Sequence, residues 1–319
     1  MIARRTLLTG MGALILAGGA WTGGAYRASL AAAGMRLEGR SSVLDTTAGA
    51  LEYAVAGHGS PLVMIHGTGG GFDQGLLFAN GLRAEGFQVI APSRFGYLKS
   101  AFPEDASPAR QADVLVELLD HLGIESLPVI GGSAGALTAA EVALRHPDRC
   151  ARLVLLVPAA NLTGRDPVEF TALQRRAVNL VLGSDFAFWA LSSFAPGQMI
   201  RTLLATDPAL LEKVSADEKR RAELILASLM PIGRKTEGMR ADGFWAGTPS
   251  PTAYANITVP TRILSCEDDL FGTAATARRL AGRIPGAQLT IWPEGGHIWL
   301  GHDGDLAHEI TAFLQPDGG

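Results

Sequence analysis

The sequence predicts an α/β fold: a mostly parallel central sheet with helices on both faces. Short apolar runs alternate with longer amphipathic segments, the pattern of strands joined by helical crossovers. Most of these runs are continuous rather than alternating, as expected of strands covered on both faces. The alternation breaks off at about Asn161 and resumes at Thr261, so the middle of the chain is an insertion into one sheet domain.

The first residues differ from the rest. Arg4 and Arg5 precede an apolar, Gly/Ala-rich run to about Ala20. This has the layout of an export signal, and the paired arginines loosely fit a twin-arginine one. An uncleaved anchor competes with that reading, because about 21 residues without a charge separate Arg5 from Arg27, enough to span a bilayer. A buried N-terminal helix is the third reading. Residues 1–35 are assigned here to an export signal or an N-terminal membrane anchor, with Ala31–Ala33 as a candidate cleavage site. Either assignment leaves the arginines in the cytoplasm and the body outside it, as a periplasmic, secreted or membrane-anchored protein.

In the body, Leu51–Val55 alternates as a half-buried strand does. Leu62–Ile65 is a covered strand, followed by a Gly-rich loop and a helical segment within Phe72–Glu85. Phe87–Ala91 is the next strand. Ser107-Pro108 opens a helix with Leu115, Leu118 and Leu119 on one face. Leu127–Ile130 is a strand, Ala134–Arg145 a helix that Cys150 closes, and Arg152–Val157 a strand. After the insertion come a strand at Thr261–Cys266, a helix at Ala274–Arg283, a strand at Gln288–Trp292 and a last helix at Asp305–Leu314. The core therefore spans residues 40–160 and 259–319, and a helical cap spans 161–258. An insertion at a strand's C-terminal end lies over the ligand crevice of an open α/β sheet. Phe186, Phe188, Trp189, Phe194, Met199, Met230, Met239, Phe244 and Trp245 in the cap fit an apolar pocket wall or the cap's own core equally well. Its Arg220, Arg221 and Lys235 read as a solvated face.

Charged residues make up 18% of the 319, and the net charge is -4. That balance excludes a disordered chain and gives no attraction for nucleic acid. Cys150 and Cys266 are the only two cysteines. They provide no metal-ligand spacing and read most simply as two separate packed thiols. No metal or cofactor is expected.

Gly131-Gly132-Ser133-Ala134-Gly135 matches G-x-S-x-G. With 39 glycines in the chain the match alone is weak, and its placement carries it: a strand runs into it and a helix leaves it. His66-Gly67-Thr68-Gly69-Gly70-Gly71 follows an earlier strand, and its glycines allow backbone amides to approach an oxyanion. With these two motifs the chain resembles the α/β-hydrolase superfamily over about Leu51–Leu314. The resemblance implies Ser133 as nucleophile and an oxyanion hole made by the backbone N–H groups of Ala134 and Thr68, with Gly69 as the alternative to Thr68. It also makes His66 structural. Ser93 departs from the family's loop, where Asp often stands, and that departure bears on local hydrogen bonding.

A serine nucleophile needs a base, and the base needs an orienting group. The family order is nucleophile, acid, histidine, with the acid in a Gly-x-x-Asp turn. Cys266 takes the Gly place, so Asp269 matches the acid and Asp268 is the runner-up. His297, in Gly295-Gly296-His297 after the last strand, matches the base. His58, His121 and His146 read as surface or capping residues, and His302 and His308 belong to the final helix. These residues imply hydrolysis through an acyl-enzyme, foremost of a carboxylic ester of a small apolar molecule. Carbon–carbon bond hydrolysis, lactone opening and a cofactor-free perhydrolase reaction use the same residues. A small-molecule-binding protein with little turnover is the alternative of another class. Oligomeric state is not readable.

Overall fold

The computed structural model describes residues 22–163, 180–247 and 251–315. Residues 1–21, with the Arg4-Arg5 pair and the apolar run to Ala20, lie outside the described residues. Eight strands among the described residues form one sheet. In chain order they are β1 (Ser42–Thr46), β2 (Gly49–Ala56), β3 (Pro61–Ile65), β4 (Gln88–Pro92), β5 (Leu127–Gly132), β6 (Cys150–Leu156), β7 (Thr261–Cys266) and β8 (Gln288–Trp292). Their order across the sheet is β1-β2-β4-β3-β5-β6-β7-β8. β2 pairs antiparallel with β1 and β4, and every other pairing is parallel. β1 is a strand that the sequence reading omitted. It lies at the sheet edge with an exposed face, so it carries no apolar run. Cys150 opens β6 instead of closing a helix. Neither cysteine is in a disulfide, both are buried, and burial pushes each thiol up to about 12.

Helix α1 covers residues 22–37. α2 (Phe72–Phe78) and α3 (Asn80–Ala84) follow the glycine loop, α4 (Pro108–His121) precedes β5, and α5 (Gly135–Arg145) leaves the end of β5. α4 begins as its sequence dictates: Ser107 Oγ accepts from Arg110 N at 3.1 Å and Pro108 takes the first position. α4 and α5 cover one face of the sheet with α10 (Thr273–Ala281), through Leu115, Leu118, Ala139, Ala143, Ala277 and Leu280. α3 and α11 (Asp303–Leu314) cover the other, where Leu82, Ile310 and Phe313 join Met64, Ile130 and Leu264.

Between β6 and β7 the described residues form α6 (Asp185–Phe194), α7 (Pro196–Leu203), α8 (Ala216–Ser228) and α9 (Thr236–Gly247), with no strand among them. The cap aromatics divide. Phe188, Trp189, Met199 and Met230 are buried in the same core as the sheet face beneath. Phe186, Phe194 and Phe244 are exposed. The solvated-face reading is corrected at two of its three residues. Arg220 is exposed, but Arg221 and Lys235 are 8% and 0% exposed. Their charges are met inside the protein. Arg221 pairs with Glu218 at 2.8 Å and donates to the Ile298 carbonyl at 2.8 Å. Lys235 Nζ donates to the carbonyls of Gly69, at 3.1 Å, and Ser228. Burial pulls the Lys235 ammonium down to about 8.

Candidate active site

Four loops at the C-terminal ends of strands converge. Ser133 stands between β5 and α5 at φ 52°, in the left-handed region a serine enters only when its surroundings enforce it. The flanking glycines allow that turn. A Cβ on Gly131 would lie 2.6 Å from the Gly135 carbonyl oxygen, and one on Gly135 would lie 2.5 Å from that of Ile65. The turn is also pinned to β6, as Ser133 N donates to Leu156 O at 2.9 Å.

Ser133 Oγ lies 2.8 Å from His297 Nε2, and His297 Nδ1 lies 2.7 Å from Asp269 Oδ2. With Nδ1–H donating to the carboxylate, Nε2 is left as the acceptor for the serine O–H. Asp269 is 5% exposed, and each of its oxygens accepts a further hydrogen bond. Phe271 N donates to Oδ1 at 2.8 Å, and Thr273 Oγ1 donates to Oδ2. Asp268 does something different. Its carboxylate accepts from Gly296 N at 2.8 Å and Gly295 N at 3.2 Å, so it holds the backbone of the histidine loop. The cap holds that loop from the other side: Thr206 Oγ1 accepts from His297 N at 3.0 Å, and Glu218 accepts from Gly301 N at 2.9 Å.

In the loop after β3, Gly69 N already donates to Tyr97 Oη at 3.3 Å. The N–H groups of Thr68 and Ala134 have no acceptor among the described residues, and both residues line the same cavity as Ser133. His66 is fully buried beneath the loop. Its Nε2 accepts from Arg94 N at 3.0 Å and its Nδ1 lies 2.7 Å from Gly67 O. Burial, reinforced by the Arg94 cation, holds it well below the usual histidine range, as a neutral strut. Ser93 donates at 3.0 Å to Glu52, a buried residue of β2. Glu52 thus brings a carboxylate from a neighbouring strand to the place where Ser93 lacks one. Of the other histidines, His146 pairs with Asp113 at 2.8 Å and His302 stacks on Trp292.

Arg94 and Asp242 form a bidentate pair at 2.5 and 2.6 Å, with Tyr97 Oη donating to the same carboxylate at 2.5 Å. Burial and the Asp242 charge hold the Tyr97 hydroxyl well above its ordinary value, so it stays a donor. This chain of bonds runs from α9 of the cap to Gly69. Arg94→Met should strand a buried carboxylate and cost about 3–5 kcal/mol. Urea unfolding checks it, and a loss under 1 kcal/mol would contradict the buried pair.

The cavity over Ser133 has a volume of about 510 Å³. Leu203, Leu204, Ile225, Leu229, Met239 and Trp299 provide its apolar walls, and no lysine or arginine lines it among the described residues. No group of three or more His, Cys, Asp or Glu among the described residues could hold a metal ion.

A family model described as "alpha/beta hydrolase fold" matches residues 60–301. An uncharacterized hydrolase of Bacillus subtilis, YcgS, is 34% identical, over 86% of this chain and 99% of its own. A 2-hydroxymuconate semialdehyde hydrolase of Pseudomonas putida is 27% identical, over 81% of this chain and 88% of its own. Among solved structures, an alpha/beta hydrolase fold protein from Nakamurella multipartita superposes with a TM-score of 0.69 at 24% identity, covering 88% of this chain and all of that one.

Proposed function

We propose, from the premise that this chain belongs to the alpha/beta hydrolase fold family and is a hydrolase, that it cleaves a carboxylic ester of a small, uncharged, largely apolar molecule through an acyl-enzyme. The observation that carries the reading is the Ser133–His297–Asp269 relay opening into a 510 Å³ cavity without a described cation. His297 Nε2 takes the Ser133 proton as Oγ attacks the ester carbonyl. The oxyanion accepts hydrogen bonds from Thr68 N and Ala134 N. His297 returns the proton to the departing alkoxide, and Asp269 stabilises the imidazolium between the two transfers. Water, deprotonated by the same histidine, then releases the acid.

Carbon–carbon bond hydrolysis with the same residues is the second reading, supported by the likeness to the 2-hydroxymuconate semialdehyde hydrolase. A muconate semialdehyde carries a carboxylate, and the described residues that line the cavity offer it no cation, which makes its burial against them costly. A panel of p-nitrophenyl esters of increasing acyl length, run beside a muconate semialdehyde, tests the choice. Turnover of short and medium esters alone supports the ester reading. Faster turnover of the semialdehyde defeats it.

We further propose residues 161–258 as a cap that shapes the substrate cavity, on residues 40–160 and 259–319 as the core, and an exported or membrane-anchored location, with the leader or anchor expected in residues 1–35 narrowed to the residues before 22. No helix of the described residues is long and apolar enough to cross a membrane. The support for the leader boundary is the docking of α1. Ser29 Oγ accepts from Trp189 Nε1 at 2.9 Å, Tyr26 packs edge-on against Phe186, and Arg36 pairs with Asp73 at 2.7 Å. Cleavage at Ala31–Ala33 would remove the first two contacts. A chain beginning at residue 22 should match the full chain in urea stability, and one beginning at residue 34 should lose about 2 kcal/mol. Equal stability of the two truncations would refute the boundary.

A further inference from the structure

α2 starts where the glycine loop ends, so its first turn stands beside the amides that face Ser133. Two polar residues of that turn are buried, Asp73 at 8% and Gln74 at 2% exposure. The Asp73 charge is met by Arg36 at Oδ2, 2.7 Å away, and by the Lys235 ammonium 4.0 Å from Oδ1, although Oδ1 itself accepts no hydrogen bond among the described residues. Gln74 is met by no such group: its Oε1 has no hydrogen-bond partner among the described residues and is enclosed against Gly70, where an added Cβ would come within 2.5 Å of it, whereas its Nε2 is neither enclosed nor paired with a described residue. The side chain lines the same cavity as Thr68, Ser133 and His297, and Phe78, one helical turn on, lines it too. Buried side-chain amides are almost always paired, and an apolar residue of the same shape would avoid the desolvation cost. The open Nε2 end of Gln74, on the wall of the cavity, is the end that a group in the cavity can pair with.

We infer that Gln74 determines specificity by hydrogen-bonding a second polar group of the substrate, a hydroxyl or an amide apart from the scissile ester. A carboxamide both donates and accepts, which matches groups that do the same and gives no charge to a carboxylate or an ammonium. The inference rests on the ester reading and narrows it to esters that carry such a group within an otherwise apolar body. A site built to hydrogen-bond a substrate hydroxyl rejects the analogue lacking it strongly, because the protein group is then left unpaired.

Matched pairs test this on both sides of the ester: phenyl butanoate against phenyl 3-hydroxybutanoate, and butyl benzoate against 3-hydroxybutyl benzoate. The wild type should prefer the hydroxylated member of at least one pair in kcat/KM by about tenfold or more. Gln74→Met should collapse that ratio toward one, and Gln74→Glu, which keeps an acceptor, should retain part of it. If Gln74→Met does not fold, Gln74→Glu and the wild-type ratio still decide. No preference in the wild type, a ratio that survives Gln74→Met, or an equal loss on both members would each overturn the inference. The ketone analogues of the four esters, with CH2 for the ester oxygen, should slow fluorophosphonate labelling with the same preference. If no ester is turned over, the ester reading fails by itself, and the ketones still report whether Gln74 selects the hydroxyl.

Discussion

Ser133→Ala is expected to lower kcat/KM on the best ester by about 10⁴- to 10⁶-fold while leaving the fold intact. The size follows from what the residue does. Its Oγ, 2.8 Å from His297 Nε2, is the nucleophile within reach of that base among the described residues, and without it the remaining groups can only orient water against the carbonyl. The substitution should leave the backbone strain in place. Alanine tolerates φ 52° no better than serine does, and the bond from residue 133 N to Leu156 O that pins the turn is kept, so urea stability should change by less than about 1 kcal/mol. Steady-state kinetics with matched unfolding curves check both parts. Residual activity above one per cent would contradict Ser133 as nucleophile.

Asp269→Asn should cost about 10³- to 10⁴-fold in kcat, and Asp268→Asn about tenfold or less. The hydrogen bonds decide the difference. Phe271 N donates to Asp269 Oδ1, so an asparagine there would turn its carbonyl toward Phe271 and its NH2 toward His297. The imidazole would then have to accept at Nδ1 and carry its proton on Nε2, the wrong tautomer for taking the Ser133 proton. At position 268 an asparagine can still accept from one of the two amides, Gly295 N or Gly296 N, so the loop loosens without reversing the base. Kinetics of the two variants separate the roles, and a larger loss at 268 than at 269 would exchange them.

The sheet was legible because its central strands are buried on both faces and read as unbroken apolar runs, as in Leu62–Ile65 and Leu153–Leu156. β1 was not, because a solvent-facing edge strand needs no apolar run. In the cap, polarity misled at Arg221 and Lys235. Beside the local partners Glu218 and Ser228, the acceptors that complete the burial of these cations, the carbonyls of Ile298 and Gly69, are 77 and 166 residues away along the chain. The tandem acids showed that an orienting group stands after β7. Only the three-dimensional pairing distinguishes Asp269, on the imidazole, from Asp268, on the loop amides. Thr68 and Gly69 were separated the same way, since Tyr97 already occupies the Gly69 amide. Gln74 had no motif to mark it; its burial beside the glycine loop without a partner is visible only in the fold.

The most direct test of the nucleophile is the position of a covalent adduct. The full chain, treated with a fluorophosphonate, should gain the mass of one phosphonyl group, and peptide mapping should place it on Ser133, with ester turnover falling in proportion to labelling. An adduct on any other residue, or undiminished turnover by fully labelled protein, would contradict the account.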